Sequence, residues 1–185
     1  MAFTAIDNFR HYVPSIARPT LFDVKVNFTA GGGGILNTDT FMFTCKSAGI
    51  PSSTFGKIEV PYLGRKIYFP GDRQYNEWTT TVIVDGDWDS YKAIYDWHQR
   101  INGARNNKAT QIDVNRFKST AEITTYRPDG STSMIIRLDG FFPMDLQELQ
   151  MDWSSTDSTA DLSVTWSYDF SEMIFHSQGV YKNDR

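Results

Sequence analysis

Residues 159–170 read TADLSVTWSYDF, and this unbroken alternation of polar and apolar residues decides the fold class. Ala160, Leu162, Val164, Trp166, Tyr168 and Phe170 fall on one side, and Thr159, Asp161, Ser163, Thr165, Ser167 and Asp169 on the other. A period of two is that of a strand with one buried and one polar face. At about 3.4 Å per residue such a strand extends roughly 40 Å, longer than the usual five or six residues. Long two-faced strands build walls, and nothing beside this one looks like a reaction centre.

The same pattern recurs upstream. Phe22, Val24, Val26 and Phe28 alternate with Asp23, Lys25 and Asn27, and Thr40–Lys46 places Phe41, Phe43 and Cys45 on one side. With the glycine block 31–34 between them, these two runs predict a long hairpin with a loose tip. Trp78, Thr80, Val82 and Val84 mark a further strand; 117–126 and 133–138 mark two more, around an Arg127-Pro128-Asp129-Gly130 turn. One helix is expected, with Tyr91, Ile94, Tyr95, His98 and Ile101 at helical spacing, acidic residues before it and Gly103 to end it. The sum is a mainly β domain of two packed sheets with one flanking helix, spanning 1–185 without repeat or linker. Trp78, Val82, Ile94, Trp97, Trp153 and Trp166 are the expected core.

Between Ser47 and Phe69 the pattern breaks. Pro51, Gly56, Pro61 and Gly64 interrupt a segment that still carries Ile50, Phe55, Ile58, Val60, Tyr62 and Leu63. Connections normally face water, so a long apolar one either packs back on its own domain or meets another subunit.

Composition narrows the function. The 185 residues suffice for one sizeable core, and 15% aromatic content favours strands. A net charge of −4 argues against a general nucleic-acid binder. No apolar run approaches the ~20 residues that cross a bilayer, and the first residues, MAFTAIDNFRHYVPS, lack the layout of a secretory signal. A lone Cys45 excludes an internal disulfide framework and suits assembly in a reducing cytoplasm. Asn27-Phe28-Thr29 spells a glycosylation acceptor but falls within a predicted strand.

Candidate chemistry is sparse. His11, His98 and His176 share no metal-ligand spacing. Asp85, Asp87, Asp89 and Asp96 match positions 1, 3, 5 and 12 of a calcium loop, but Ser90 replaces its glycine and Asp96 its final Glu, so helix capping is the better reading. The four glycines lack the Lys-Ser/Thr of a phosphate loop. No catalytic residue, metal or cofactor is expected.

A set of short segments resembles the tail tube proteins of contractile-tailed bacteriophages. They are Ala17-Arg18-Pro19-Thr20-Leu21-Phe22, Cys45-Lys46-Ser47-Ala48-Gly49-Ile50-Pro51, Gly64-Arg65-Lys66-Ile67 and Pro70-Gly71-Asp72-Arg73, then Glu77-Trp78-Thr79, Tyr95-Asp96-Trp97, Phe142-Pro143 and Glu148-Leu149-Gln150-Met151-Asp152-Trp153. Their order and spacing cover about residues 17–170. The resemblance implies two antiparallel sheets in a sandwich or small barrel, subunits closing into hexameric rings, and rings stacking into a conduit inside a contractile sheath. It implies assembly in the host cytoplasm into the virion tail, without membrane insertion. Its implied partners are other copies of the chain, the sheath protein, the baseplate and the tail terminator, with the tape-measure protein and genomic DNA in the lumen. Ile50, Phe55, Ile58, Val60, Tyr62 and Leu63 then correspond to the inter-ring loop, and the N-terminal arm (1–19, with Phe3, Ile6, Phe9 and Tyr12) is a second candidate contact. The Gly31–Asp39 loop and the extension 171–185 depart from the family pattern. The alternatives are the tube of a related secretion-system or tailocin injection machine and, more distantly, a ligand-binding β-barrel.

Overall fold

The computed structural model describes residues 16–27, 38–108, 117–154, 156 and 158–176. The elements run β1 (Phe22–Val26), α1 (Thr38–Thr44), β2 (Cys45–Ala48), β3 (Ser53–Tyr62), β4 (Arg65–Tyr75), β5 (Trp78–Ile83) and α2 (Asp89–Ile101). They continue as β6 (Ser119–Tyr126), β7 (Thr132–Leu146), β8 (Asp161–Ser167) and β9 (Phe170–Phe175). Seven strands form one sheet in the order β1-β6-β7-β8-β5-β2, with β9 also on β7, while β3 and β4 pair only with each other. Every pairing is antiparallel.

The 15-residue β7 turns one sheet into two layers. Its first part, through Asp139, pairs with β6 and β9; Phe142–Leu146 pairs with β8. The corner is Gly140, at φ 68°, where an added Cβ would lie 2.0 Å from the Asp169 carboxylate. Only glycine fits both that conformation and that space. Lys118 Nζ, 2.7 Å from both Asp169 oxygens, ties the corner to the start of β6.

The core fills the angle between the layers. Val24 and Val26 from β1, Ile123 from β6, Ile136 and Leu138 from β7, and Val82, Leu162 and Val164 from β5 and β8 are all buried. At its centre Trp166 stacks on Phe141 at 4.5 Å, with Trp97 at 6.1 Å and Phe41 edge-on at 6.3 Å. Trp166 Nε1 donates to Thr80 Oγ1 at 2.8 Å and Trp97 Nε1 to the Phe117 carbonyl at 2.8 Å. A buried indole keeps its large apolar area only at the cost of finding such a partner.

Five expectations need correction. The predicted strand Thr40–Lys46 is instead helix α1 running into β2, and β1 pairs with β6, so the first hairpin does not exist. Over seven residues, alternation cannot separate a period of 2 from 3.6: Phe41 is buried while Phe43, on the other side, is exposed. The long final run is two strands, broken at Tyr168-Asp169 where the chain passes from the layer of β5 and β8 to the layer of β6 and β9; Tyr168 stays buried and Phe170 is exposed on β9. Residues 170–175, expected mostly as an extension, are an integral strand on β7. In α2 Ile94 of the expected Tyr91/Ile94/Tyr95/His98/Ile101 stripe is buried and Tyr91 and Ile101 pack partly against the core, but Tyr95 is exposed and Ser90 and Trp97 are buried in its stead. A tyrosine at a helix flank covers apolar surface with its ring and keeps its hydroxyl in water.

Trp153 is the fifth. It is fully exposed (105%), not core. It sits in a turn held locally by Asp152, whose Oδ1 accepts from Ser154 N at 2.9 Å and Ser154 Oγ at 2.8 Å. Trp78, Val82, Ile94, Trp97 and Trp166 are buried.

Replacing Trp166 by Ala removes the stack and orphans the buried Thr80 hydroxyl, at an expected loss of about 3–5 kcal/mol. Urea unfolding of the soluble monomer measures it; an unchanged midpoint would show that the cluster does not carry the core.

Candidate assembly surface

The feature that least suits an isolated molecule is the β3–β4 hairpin, the segment expected as an irregular connection. Pro61 and Pro70 did not prevent strands there, because in a two-stranded ribbon each strand is an edge and has one side free of ladder bonds. Opposite residues in an antiparallel pair project to the same side, so the register defines two faces. Ile58↔Phe69, Val60↔Ile67 and Tyr62↔Arg65 lie on one; Lys57↔Pro70, Glu59↔Tyr68 and Pro61↔Lys66 lie on the other. The second face satisfies itself: Lys66 Nζ meets Glu59 Oε2 at 2.8 Å, and Lys57 Nζ lies 3.5 Å from the centre of the Tyr68 ring. The first is apolar but for Arg65, and Ile58, Val60, Tyr62, Ile67 and Phe69 are all exposed on it.

Leu63 and Gly64 close the hairpin at φ 47° and 78°. Positive φ at both central residues matches the strand twist of a two-residue turn, but leucine adopts it at a cost that Asn or Gly would avoid. Leu63 is also 86% exposed. A strained apolar residue at a tip is a reason to look for something that covers it.

The base of the hairpin is fixed to the core. Asn76 N donates to the Ser52 carbonyl at 3.0 Å, Asn76 Nδ2 to Ser52 Oγ at 2.9 Å, and Tyr168 Oη to the Ser52 carbonyl at 3.3 Å. Trp78 Nε1 donates to the Gly49 carbonyl, and the Tyr75 and Tyr168 rings lie 5.8 Å apart. Above this base the register shifts between Phe55 and Lys57, where Gly56 and Gly71 cross so closely that a Cβ on Gly71 would be 3.1 Å from Gly56 O. The hairpin therefore has an anchored base, a glycine-lined bulge and a projecting apolar blade.

Of the predicted contact residues, Ile58, Val60 and Tyr62 share the apolar face, and Leu63 is at the tip. Phe55 lies below the bulge, under the Arg73 guanidinium at 4.8 Å, and Ile50 is exposed ahead of β3. Phe3, Ile6, Phe9 and Tyr12 fall outside the described residues, as does most of the Gly31–Asp39 loop. Sequence reasoning missed Ile67 and Phe69. Their alternation in Arg65-Lys66-Ile67-Tyr68-Phe69 was readable, but the flanking glycines and prolines hid it.

The chemistry-bearing residues do not converge. Among the described residues no three His, Cys, Asp or Glu side chains gather as metal ligands. Asp85 Oδ1 accepts from Ser90 N at 3.3 Å, which ties the start of α2. His98 lines a shallow groove between α2 and the end of β7; burial lowers its pKa, against the opposing pull of Asp145 and a hydrogen bond with the Pro143 backbone. No helix among the described residues is long and apolar enough to cross a membrane.

The comparisons with known proteins point one way. Residues 11–171 match the family model described as phage tail tube protein. The chain is 32% identical over 157 residues to the tail tube protein of Enterobacteria phage T4, covering 84% of this chain and 91% of that protein. It is 24% identical over 153 residues to the tail tube protein of Serratia phage KSP90, covering 83% and 86%. Among solved structures it resembles a chain of the sheath–tube complex of an extracellular contractile injection system, PVC (TM-score 0.63, 18% identity, 95% and 99% covered). It also resembles a chain of the anti-feeding prophage tube-terminating cap (TM-score 0.60, 18% identity, 87% and 92% covered). These two likenesses establish the fold.

Burial pushes the Cys45 thiol up to about 12, partly opposed by a hydrogen bond with the Ser47 backbone. A raised folded-state pKa stabilises the fold below the ordinary value of 9.0, and that contribution is lost as pH rises from there towards about 12. Urea midpoints should therefore fall more steeply over this range in the parent than in Cys45→Ser. Parallel curves would mean that Cys45 ionises freely in the folded state.

Proposed function

The chain belongs to the phage tail tube protein family, and from that premise we propose that it closes into hexameric rings which stack through the exposed face of β3–β4. Its role is that of a structural subunit of the virion tail, not of a catalyst. The observation that carries the stacking is the apolar blade itself. A monomer exposing Ile58, Val60, Tyr62, Ile67 and Phe69 together invites association. A ring contact closes on itself, whereas stacking is the open-ended contact that makes a tube.

The blade suits the open-ended role because it stands outside the core sandwich while its base is tied to Trp78 and Tyr168. The N-terminal arm with Phe3, Ile6, Phe9 and Tyr12 is the second stacking contact in this reading. A sheath, a baseplate and a terminator are the partners that the tube's ends and outside require. The channel carries the tape-measure protein and then DNA. An acidic chain favours passage, since a lumen rich in lysine would hold phosphate through counterion release. The phage tube is preferred to that of another injection machine because relatives above 30% identity are phage proteins.

The double substitution Ile58→Ser/Phe69→Ser removes one cross-strand apolar pair from the blade. Both side chains are exposed, so the expected effect on monomer stability is within about 0.5 kcal/mol per site, while pelletable tubes disappear. Parent-like tubes from this folded variant would take the blade out of the stacking contact.

A further inference from the structure

The layer formed by β1, β6, β7 and β9 carries a row of charge whose signs alternate from edge to edge. The strand registers align Lys25 with Glu122, Glu122 with Arg137, and Arg137 with Glu172. The four lie on the side opposite Val24, Ile123 and Ile136, which are core. Arg137 Nε is 3.4 Å from Glu122 Oε2 within the row. The row begins with a cation on β1 and ends with an anion on β9, and among the described residues β1 pairs only with β6 and β9 only with β7.

We propose that Glu172 of one copy pairs with Lys25 of the next, and that this pair sets the register at which neighbouring subunits join. The inference rests on the ring reading above. Three features on the same two strands support a second copy as the occupant of these edges. Directions alternate from β1 to β9, so a β1 added beside β9 continues the antiparallel order, and the repeat holds for any number of copies. The signs match at the joint. On the core-facing side of β9, Met173 and Phe175 are exposed, and the incoming β1 would set Val24 and Phe22 beside them.

The charges also discriminate among joints. A one-residue slip would set Met173 and Phe175 beside the charged side of the neighbour. A barrel requires tilted strands, so some even stagger accumulates at each joint. A two-residue stagger that brings Glu172 opposite Asn27 leaves Lys25 on the diagonal, about 7–8 Å between Cα atoms and within reach of long side chains. The opposite stagger brings Glu172 against Asp23, a like charge, and is disfavoured.

The test is charge reversal at both ends, read as the protein concentration at which half the subunits sediment as tubes. K25E and E172K should each raise it about fivefold or more, from one like-charge contact per joint, and K25E/E172K should bring it back to within about twofold of the parent. Within a single chain K25E sets a carboxylate beside Glu122, and E172K sets an ammonium beside Arg137. The double variant keeps both of these repulsions, so recovery can arise only between chains. If the parent forms tubes and the double variant assembles no better than the singles, the pair is wrong and the ring reading stands. A parent that forms no rings overturns both.

Discussion

Trp166 stacks on Phe141 at 4.5 Å with 22° between the ring planes, and this contact is the joint on which the molecule depends. Phe141 sits just past the Gly140 corner, where β7 passes from one layer to the other, and Trp166 is near the end of β8, opposite Pro143. Trp97 brings α2 onto the same pair and Phe41 brings α1. Trp78 packs on Phe141 at 5.8 Å and holds Gly49, so the cluster reaches the base of the projecting hairpin. Large rings suit this place because each touches several elements at once and needs at most one hydrogen bond, that of an indole N–H.

That rigid centre explains how so much apolar surface can be carried outside it. The blade of β3–β4 has no core of its own, and an isolated two-stranded ribbon is marginal in water. Here its base is anchored by Ser52, Asn76, Tyr75 and Tyr168, its charged face is internally paired, and its apolar face is left for contact. The two surfaces proposed for assembly are thus separate in chemistry. In the proposed assembly, strand edges and a charged row serve closure within a ring, and an apolar blade serves stacking.

Much of this was legible in the sequence because alternation over long stretches is unambiguous. Leu162, Val164 and Trp166, and Trp78 and Val82, are where their period of two puts them. Short or interrupted patterns were not legible. Seven residues around Phe41 fit a strand and a helix equally, and tertiary packing of Phe41 decided for the helix. Prolines in β3 and β4 read as breaks, although a ribbon tolerates them. Trp153 was assigned by residue type alone, with no periodic pattern behind it, and it stands in solvent. The charged row was invisible to any linear reading, since Lys25, Glu122, Arg137 and Glu172 meet only through strand register.

The central claim is that one chain encodes both a closed and an open-ended contact. Negative-stain electron microscopy of the purified parent protein, concentrated and seeded with baseplates, tests it most directly. The account predicts hollow filaments built of stacked hexameric rings. Compact monomers that persist even when concentrated and seeded would contradict it.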